Sequence, residues 1–208
     1  MGLLVLVRHG LSTYNQKGWW TGWDNPELTS IGIDEAKRAG KELKDIHFTT
    51  AYVSVFKRAI DTLEEIKKEI KQKDLPTIVD KRINERNYGV YNGKNKWEIE
   101  KEIGEKNFLL LRRSWDYPIP EGESLKQVYE REIPFFKDTI LKQVMEGNNV
   151  LVVSSGNALR AIVKYLEHIP DDKIAHLEIS TGQVYVYKIS SNGTIEDKDI
   201  RQAKKNTV

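Results

Sequence analysis

Leu3-Leu4-Val5-Leu6-Val7-Arg8-His9-Gly10 opens the chain, and its reading decides the fold. Five apolar residues predict a first strand, and a polar triplet follows at its carboxyl end. A second segment repeats the arrangement. Val150-Leu151-Val152-Val153 predicts a strand, and Ser155-Gly156-Asn157-Ala158-Leu159-Arg160 leads from its end into a helix. Open α/β sheets bind ligands in the crevice at the carboxyl ends of their strands, so both polar segments are candidates for one site.

Between these two segments apolar, β-rich runs alternate with helical patterns. A polar, Trp-rich loop covers Asn15 to Asp24. Thr29 or Ser30 caps a helix whose face carries Ile33, Ala36, Gly40 and Leu43. Ala51-Tyr52-Val53 reads as a strand ending in Ser54, and 56–72 as a helix burying Ile60, Leu63 and Ile66. Thr77-Ile78-Val79 is a further strand, and 82–93 is a loop with Gly89 and Gly93. Helices dominate from about 94 to 146, broken near Pro118 and Pro120, and look like an insertion beside the sheet. A helix at about 157–167 and a strand around Val184–Ile189 follow, and 190–208 reads as a polar, frayed end. This alternation predicts an α/β fold in three layers, α/β/α. Its central sheet is mostly parallel with right-handed crossovers, in one domain over residues 1–208.

Composition narrows the classes. A chain of 208 residues supports a core without staples. It has no cysteine, which excludes disulfides and thiolate metal sites. No apolar run reaches membrane-spanning length, and Arg8-His9 follows the first apolar run at once, which reads as a strand and not as a leader. A cytoplasmic location is the expectation. A net charge of +2 gives no argument for nucleic acid or membrane partners. The acidic residues show no metal-ligand spacing. Oligomeric state is not written in the pattern.

Arg-His-Gly after a strand resembles the histidine phosphatase superfamily. The chain further resembles its cofactor-dependent phosphoglycerate mutases, over about residues 3–189. The matching segments are Leu6–Gly10, Thr21-Gly22-Trp23, Ser54–Ala59, Asn84-Glu85-Arg86-Asn87-Tyr88-Gly89, Gly93–Lys96, Arg112-Arg113 and Gly156–Arg160 with Val163–Leu166. The resemblance implies a phosphoglycerate mutase-like fold. It implies interconversion of 3- and 2-phosphoglycerate through a phosphohistidine, with 2,3-bisphosphoglycerate as the phosphoryl primer and no metal.

By that resemblance His9 is the nucleophile; neutral imidazole attacks and leaves readily. Arg8 and Arg58 clamp the transferring phosphoryl group, whose charge lies on three oxygens. Arg86, Lys96, Arg112 and Arg113 hold the carboxylate and the second phosphate. Glu85 is the acid–base candidate for the substrate hydroxyl; a salt bridge to Arg86 or Lys81 is its alternative role. Ser12, Asn15 and Tyr88 offer neutral partners to phosphate oxygens. Thr21 and Gly22 bring a loop to the substrate. Gly10, Thr13, Gly156 and Asn157 complete the binding set. His47, His168 and His176 match no motif.

Three departures from the family pattern stand out. Ser155 occupies the place of a second histidine that stabilises the transferring group. Leu11 replaces a polar or acidic residue. Trp115 to Glu123 is short, and its Pro-Glu-Gly-Glu-Ser continuation is closer to the phosphatase branch. The alternatives are a phosphomonoester phosphatase and a phosphosugar-binding homologue with weakened catalysis.

Overall fold

The computed structural model describes residues 1–201. Its centre is a six-stranded sheet in the order β3-β2-β4-β1-β5-β6. The strands are β1 (Gly2–Arg8), β2 (Thr50–Val53), β3 (Thr77–Val79), β4 (Val150–Ser154), β5 (Val184–Ile189) and β6 (Ile195–Arg201). β3, β2, β4 and β1 run parallel, while β5 and β6 add antiparallel strands at one edge. Val7 pairs with Val153 and Arg8 with Ser154. The two polar segments therefore leave neighbouring strands side by side.

Alternate residues of the central strands feed opposite cores, which produces the three layers. Leu4, Leu6, Val150 and Val152 join Phe136, Ile140 and Ile162 on one face. Val5, Val7, Leu151 and Val153 join Ala39, Leu43, Leu63 and Ile66 on the other. All eight strand residues are fully buried, and each such side chain contributes about 1.5–3 kcal/mol. The first face is covered by α6 (Leu125–Phe135), the wide turn Phe136–Leu141, α7 (Lys142–Met145) and α8 (Gly156–Leu166). The wide turn follows Pro134, whose missing N–H removes a helical hydrogen bond. The second face is covered by α2 (Ser30–Lys41) and α3 (Lys57–Glu69). Thr29 caps α2 by accepting from the Gly32 N–H.

Four expectations are corrected in detail. Ile33 is exposed, because α2 packs through Gly32, Ala36, Ala39 and Gly40, with Gly32 against the Leu11 backbone and Gly40 against Ile66 and Glu69 of α3. Ile60 is only partly buried, packing at the margin of the second face. The tail is not wholly frayed: Ile195–Arg201 pairs with β5 as an exposed edge strand, whose polar composition hid it; residues 202–208 of that reading lie outside the described residues. The stretch 94–146 is not one insertion. α4 (Lys96–Ile103) and α5 (Glu105–Arg113) enclose a small core around Trp20, Phe108 and Ile119, whereas α6 lies on the sheet.

Candidate active site

The catalytic candidates sit at or just beyond the carboxyl ends of β1, β2 and β4, Arg8 as the last residue of β1, or on a segment facing them. His9 follows β1, and its N–H donates to the Ser154 carbonyl at 2.9 Å. Its Nδ1 lies 2.7 Å from the Gly10 carbonyl oxygen. A carbonyl only accepts, so the proton belongs on Nδ1 and the lone pair on Nε2. Nε2 faces Arg58, which donates from Nε at 3.3 Å. Burial, then the charges of Arg58 and Arg8, hold the imidazole pKa well below its ordinary value. At neutral pH His9 is an uncharged ring with a defined tautomer, the form a nucleophile needs.

Arg58 lies in the first turn of α3 and is fully buried. It donates to the Asp24 carbonyl at 2.8 Å, the Gly22 carbonyl at 3.0 Å and Ser155 Oγ at 3.4 Å. One guanidinium thus touches both His9 and Ser155. Burial brings its pKa down to about 10, so it stays charged. Arg8 donates to the Ile179 carbonyl at 2.6 Å, and its buried Nε has no partner. Gly156 makes room for that guanidinium: a Cβ there would lie 3.4 Å from Arg8 Cζ.

Glu85 accepts three hydrogen bonds through Oε1: from the Arg86 N–H at 2.6 Å, Asn157 Nδ2 at 2.9 Å and the Asn157 N–H at 3.3 Å. Its contact with Arg86 is therefore to the backbone and not a salt bridge. Asn157 also donates to the Tyr88 hydroxyl at 2.9 Å. Arg160 in turn donates to Asn157 Oδ1 at 2.8 Å and to the carbonyls of Arg113 and Ile174.

Part of this set borders a cavity of about 960 Å³. Arg8, Asn15, Thr21, Gly22, Glu85, Tyr88, Lys96, Arg112, Arg113, Gly156 and Asn157 all line it. Burial, then Arg112 and Arg8, lowers the Lys96 pKa to about 8. Arg113 pairs with Glu178 at 3.1 Å. The donor set, with its orphaned Arg8 Nε, fits a small polyanion.

Other candidates are placed elsewhere. Arg86 is fully buried beneath the lining; it stacks 4.5 Å over Tyr88 and donates to the carbonyls of Leu111 and Arg112. Ser12 is buried and caps the short helix α1 (Thr13–Gln16), to which Thr13 belongs. Neither borders the cavity. Gly10 lies under α2, where a Cβ would overlap the Gly32 carbonyl. His9, Arg58 and Ser155 are buried and are not among the lining residues; Arg58 contacts both of the others. Arg160, Trp20, Glu35, Arg38 and Ser180–Gln183 line the cavity without having been singled out. Arg160 stood in the second polar segment, but an arginine on a helix ordinarily reads as a solvated face. No group of acidic, histidine or cysteine side chains suited to a metal occurs among the described residues.

Two strand-end polar segments, an uncharged buried histidine and converging cations form a site whose chemistry suits phosphoryl transfer. The family model for the histidine phosphatase superfamily (branch 1) matches residues 4–198, and the chain belongs to that superfamily. Within it, the chain is 45% identical over 207 residues to the 2,3-bisphosphoglycerate-dependent phosphoglycerate mutase of Methylorubrum populi, covering 96% of this chain and 98% of that protein. It is 43% identical to the enzyme of the same name from Nitrobacter hamburgensis, covering 94% and 96%. Among solved structures, a mycobacterial glucosyl-3-phosphoglycerate phosphatase superposes with a TM-score of 0.81 at 20% identity, covering 96% and 97%. That likeness concerns the fold.

Proposed function

We propose that the protein is a 2,3-bisphosphoglycerate-dependent phosphoglycerate mutase. The observation that carries the reading is the His9 geometry: a neutral ring with Nδ1 tied to a carbonyl, Nε2 beside Arg58, and the charge of Arg8 acting on the ring. Nε2 attacks the phosphorus of a bound phosphomonoester and the P–O bond to the substrate breaks. Arg8 and Arg58 take up the charge on the transferring oxygens. The proton for the leaving oxygen comes from the Glu85 carboxyl, and the same group takes a proton from the hydroxyl that attacks phospho-His9 in return. Lys96, Arg112 and Arg113 hold the carboxylate and the non-reacting phosphate, so the bound monophosphate stays within reach of the phosphohistidine between the two transfers. No membrane-spanning helix occurs among the described residues; the reading places the protein in the cytoplasm with a small phosphorylated substrate, and without membrane or nucleic-acid partners.

Ser155 favours a second reading. Its hydroxyl, 3.4 Å from Arg58, is the smaller and neutral substitute for the family's second histidine, which supports a binding homologue with slowed transfer. The short Trp115–Glu123 stretch supports a phosphatase, with water in place of the second substrate. One experiment separates the three. Incubation with 3-phosphoglycerate, with and without primer, is followed for 2-phosphoglycerate and free phosphate. Primer-dependent isomer is the expected result. Free phosphate alone assigns a phosphatase, and neither product with retained binding assigns the binding homologue.

A further inference from the structure

Glu85 stands on irregular backbone. Residues 84–88 belong to no helix or strand, and follow a single 3-10 turn at Lys81–Ile83. A carboxyl group on such a segment is aimed only as well as its main chain is held. Trp23 Nε1 donates to the Glu85 carbonyl at 2.8 Å and the Ser154 hydroxyl to the Ile83 carbonyl at 2.5 Å, but one guanidinium makes the largest set of contacts with this main chain. Arg131, on α6, donates from Nη1 to the Arg82 carbonyl at 2.8 Å, and from Nη2 to the carbonyls of Asn84 at 2.9 Å and Glu85 at 3.1 Å. The same group forms a two-point pair with Glu123, at 2.7 Å from Nε and 3.1 Å from Nη2. Glu123 closes the loop by accepting the Asn87 N–H at 2.9 Å. The 82–87 backbone is thus tied at four points to one ion pair that does not border the cavity.

We propose that the Arg131–Glu123 pair is a positioning device for the proton-transfer step, setting the Glu85 carboxyl against Asn157. This rests on the reading of Glu85 as the acid–base group. The geometry demands arginine: a planar fork reaches three carbonyls and a carboxylate together, which a lysine point charge does not. Glu123 orients the fork and neutralises it, so the pair adds no net charge beside Glu85. Misplacing a reacting group by about 1 Å costs on the order of 10² in rate.

The test compares Arg131→Met, Arg131→Lys and Glu123→Gln with the unsubstituted chain. Three quantities are measured: kcat and KM for primer-dependent turnover, the pH profile of kcat, and hydrogen exchange of the Arg86 amide, which donates to Glu85 Oε1. Arg131→Met is expected to lower kcat about 10²-fold with KM within a few-fold. The pH profile of kcat should change, and Arg86 should lose at least tenfold in protection while β1 and β4 amides keep theirs. Arg131→Lys should restore little of this, and Glu123→Gln should fall between. If Arg131→Met does not fold, Arg131→Lys carries the same comparison. Unchanged kcat, pH profile and Arg86 protection in a folded variant would overturn the proposal. An unsubstituted chain without turnover would sink the mutase reading alone, because the exchange measurement still decides whether Arg131 holds the Glu85 segment.

Discussion

Restoring an imidazole at position 155 asks how much of the transfer chemistry this chain retains. Ser155 is fully buried at the start of α8, with φ −102° and ψ 170°, an extended backbone that histidine adopts freely. Its hydroxyl meets Arg58 at 3.4 Å. That distance is at the outer limit of a hydrogen bond, so removing it costs less than the usual 0.5–1.5 kcal/mol, roughly. Ser155 does not itself line the cavity of about 960 Å³, but its chain neighbour Gly156 does. A histidine there gains a donor across the phosphoryl position from His9. One well-placed transition-state donor is worth about 2.7–4 kcal/mol, or about 10²–10³ in turnover. Ser155→His should raise primer-dependent turnover by that factor. Binding of 3-phosphoglycerate should change far less, because the contact strengthens as charge redistributes. The assay is formation of 2-phosphoglycerate at matched saturation in both proteins. No gain would refute Ser155 as the sole defect and turn attention to Leu11, whose N–H is held by Glu35 at 2.8 Å. Equal, high turnover in both would refute the reasoning outright, since this serine would never have disabled the site.

Mixed with 2,3-bisphosphoglycerate, the protein should take up one acid-labile phosphoryl group, seen by intact mass; labelling that survives in His9→Ala would remove His9 as nucleophile. Lys96, with its pKa lowered to about 8, is charged below that pH and loses its proton above it. Substrate affinity by calorimetry should therefore be level below about pH 8 and fall above it, by at most about tenfold per pH unit for one proton. Lys96→Arg should move that decline upward, and a flat profile to pH 9.5 in the unsubstituted protein would contradict it. Arg86→Met removes a buried cation that bridges Tyr88 and the carbonyls of Leu111 and Arg112. It should cost about 1.5–3 kcal/mol in urea unfolding; an unchanged midpoint would return Arg86 to the substrate.

Much of the site was legible because strand ends carry it. His9 and Ser155 were readable from runs of apolar residues followed by polar ones, and the register of Val7 with Val153 makes them neighbours. Arg58, Glu85 and Lys96 were readable only through resemblance. Each lies on a surface-like pattern, and its burial arises from elements far away in the chain. Arg58 is covered by the carbonyls of Gly22 and Asp24, more than 30 residues earlier. Arg160 and Arg131 carry no sequence mark for the same reason: besides Asn157 and Glu123, their partners are backbone carbonyls, which leave no trace in composition. β6 escaped because an exposed edge strand needs no apolar face.

The sequence by itself determined the layers, the strand that leads into the nucleophile, and the kinds of groups available for phosphoryl chemistry. These follow from local periodicity and from residue chemistry, which need no knowledge of distant segments. Only the tertiary structure decided what those groups are. It made His9 neutral by burying it beside two guanidinium groups, and made Arg86 a brace by placing it beneath the lining. It also gave one carboxylate oxygen of Glu85 to Asn157. Charge state and accessibility depend on desolvation and on partners contributed across the fold, and those quantities exist only once the chain has closed on itself.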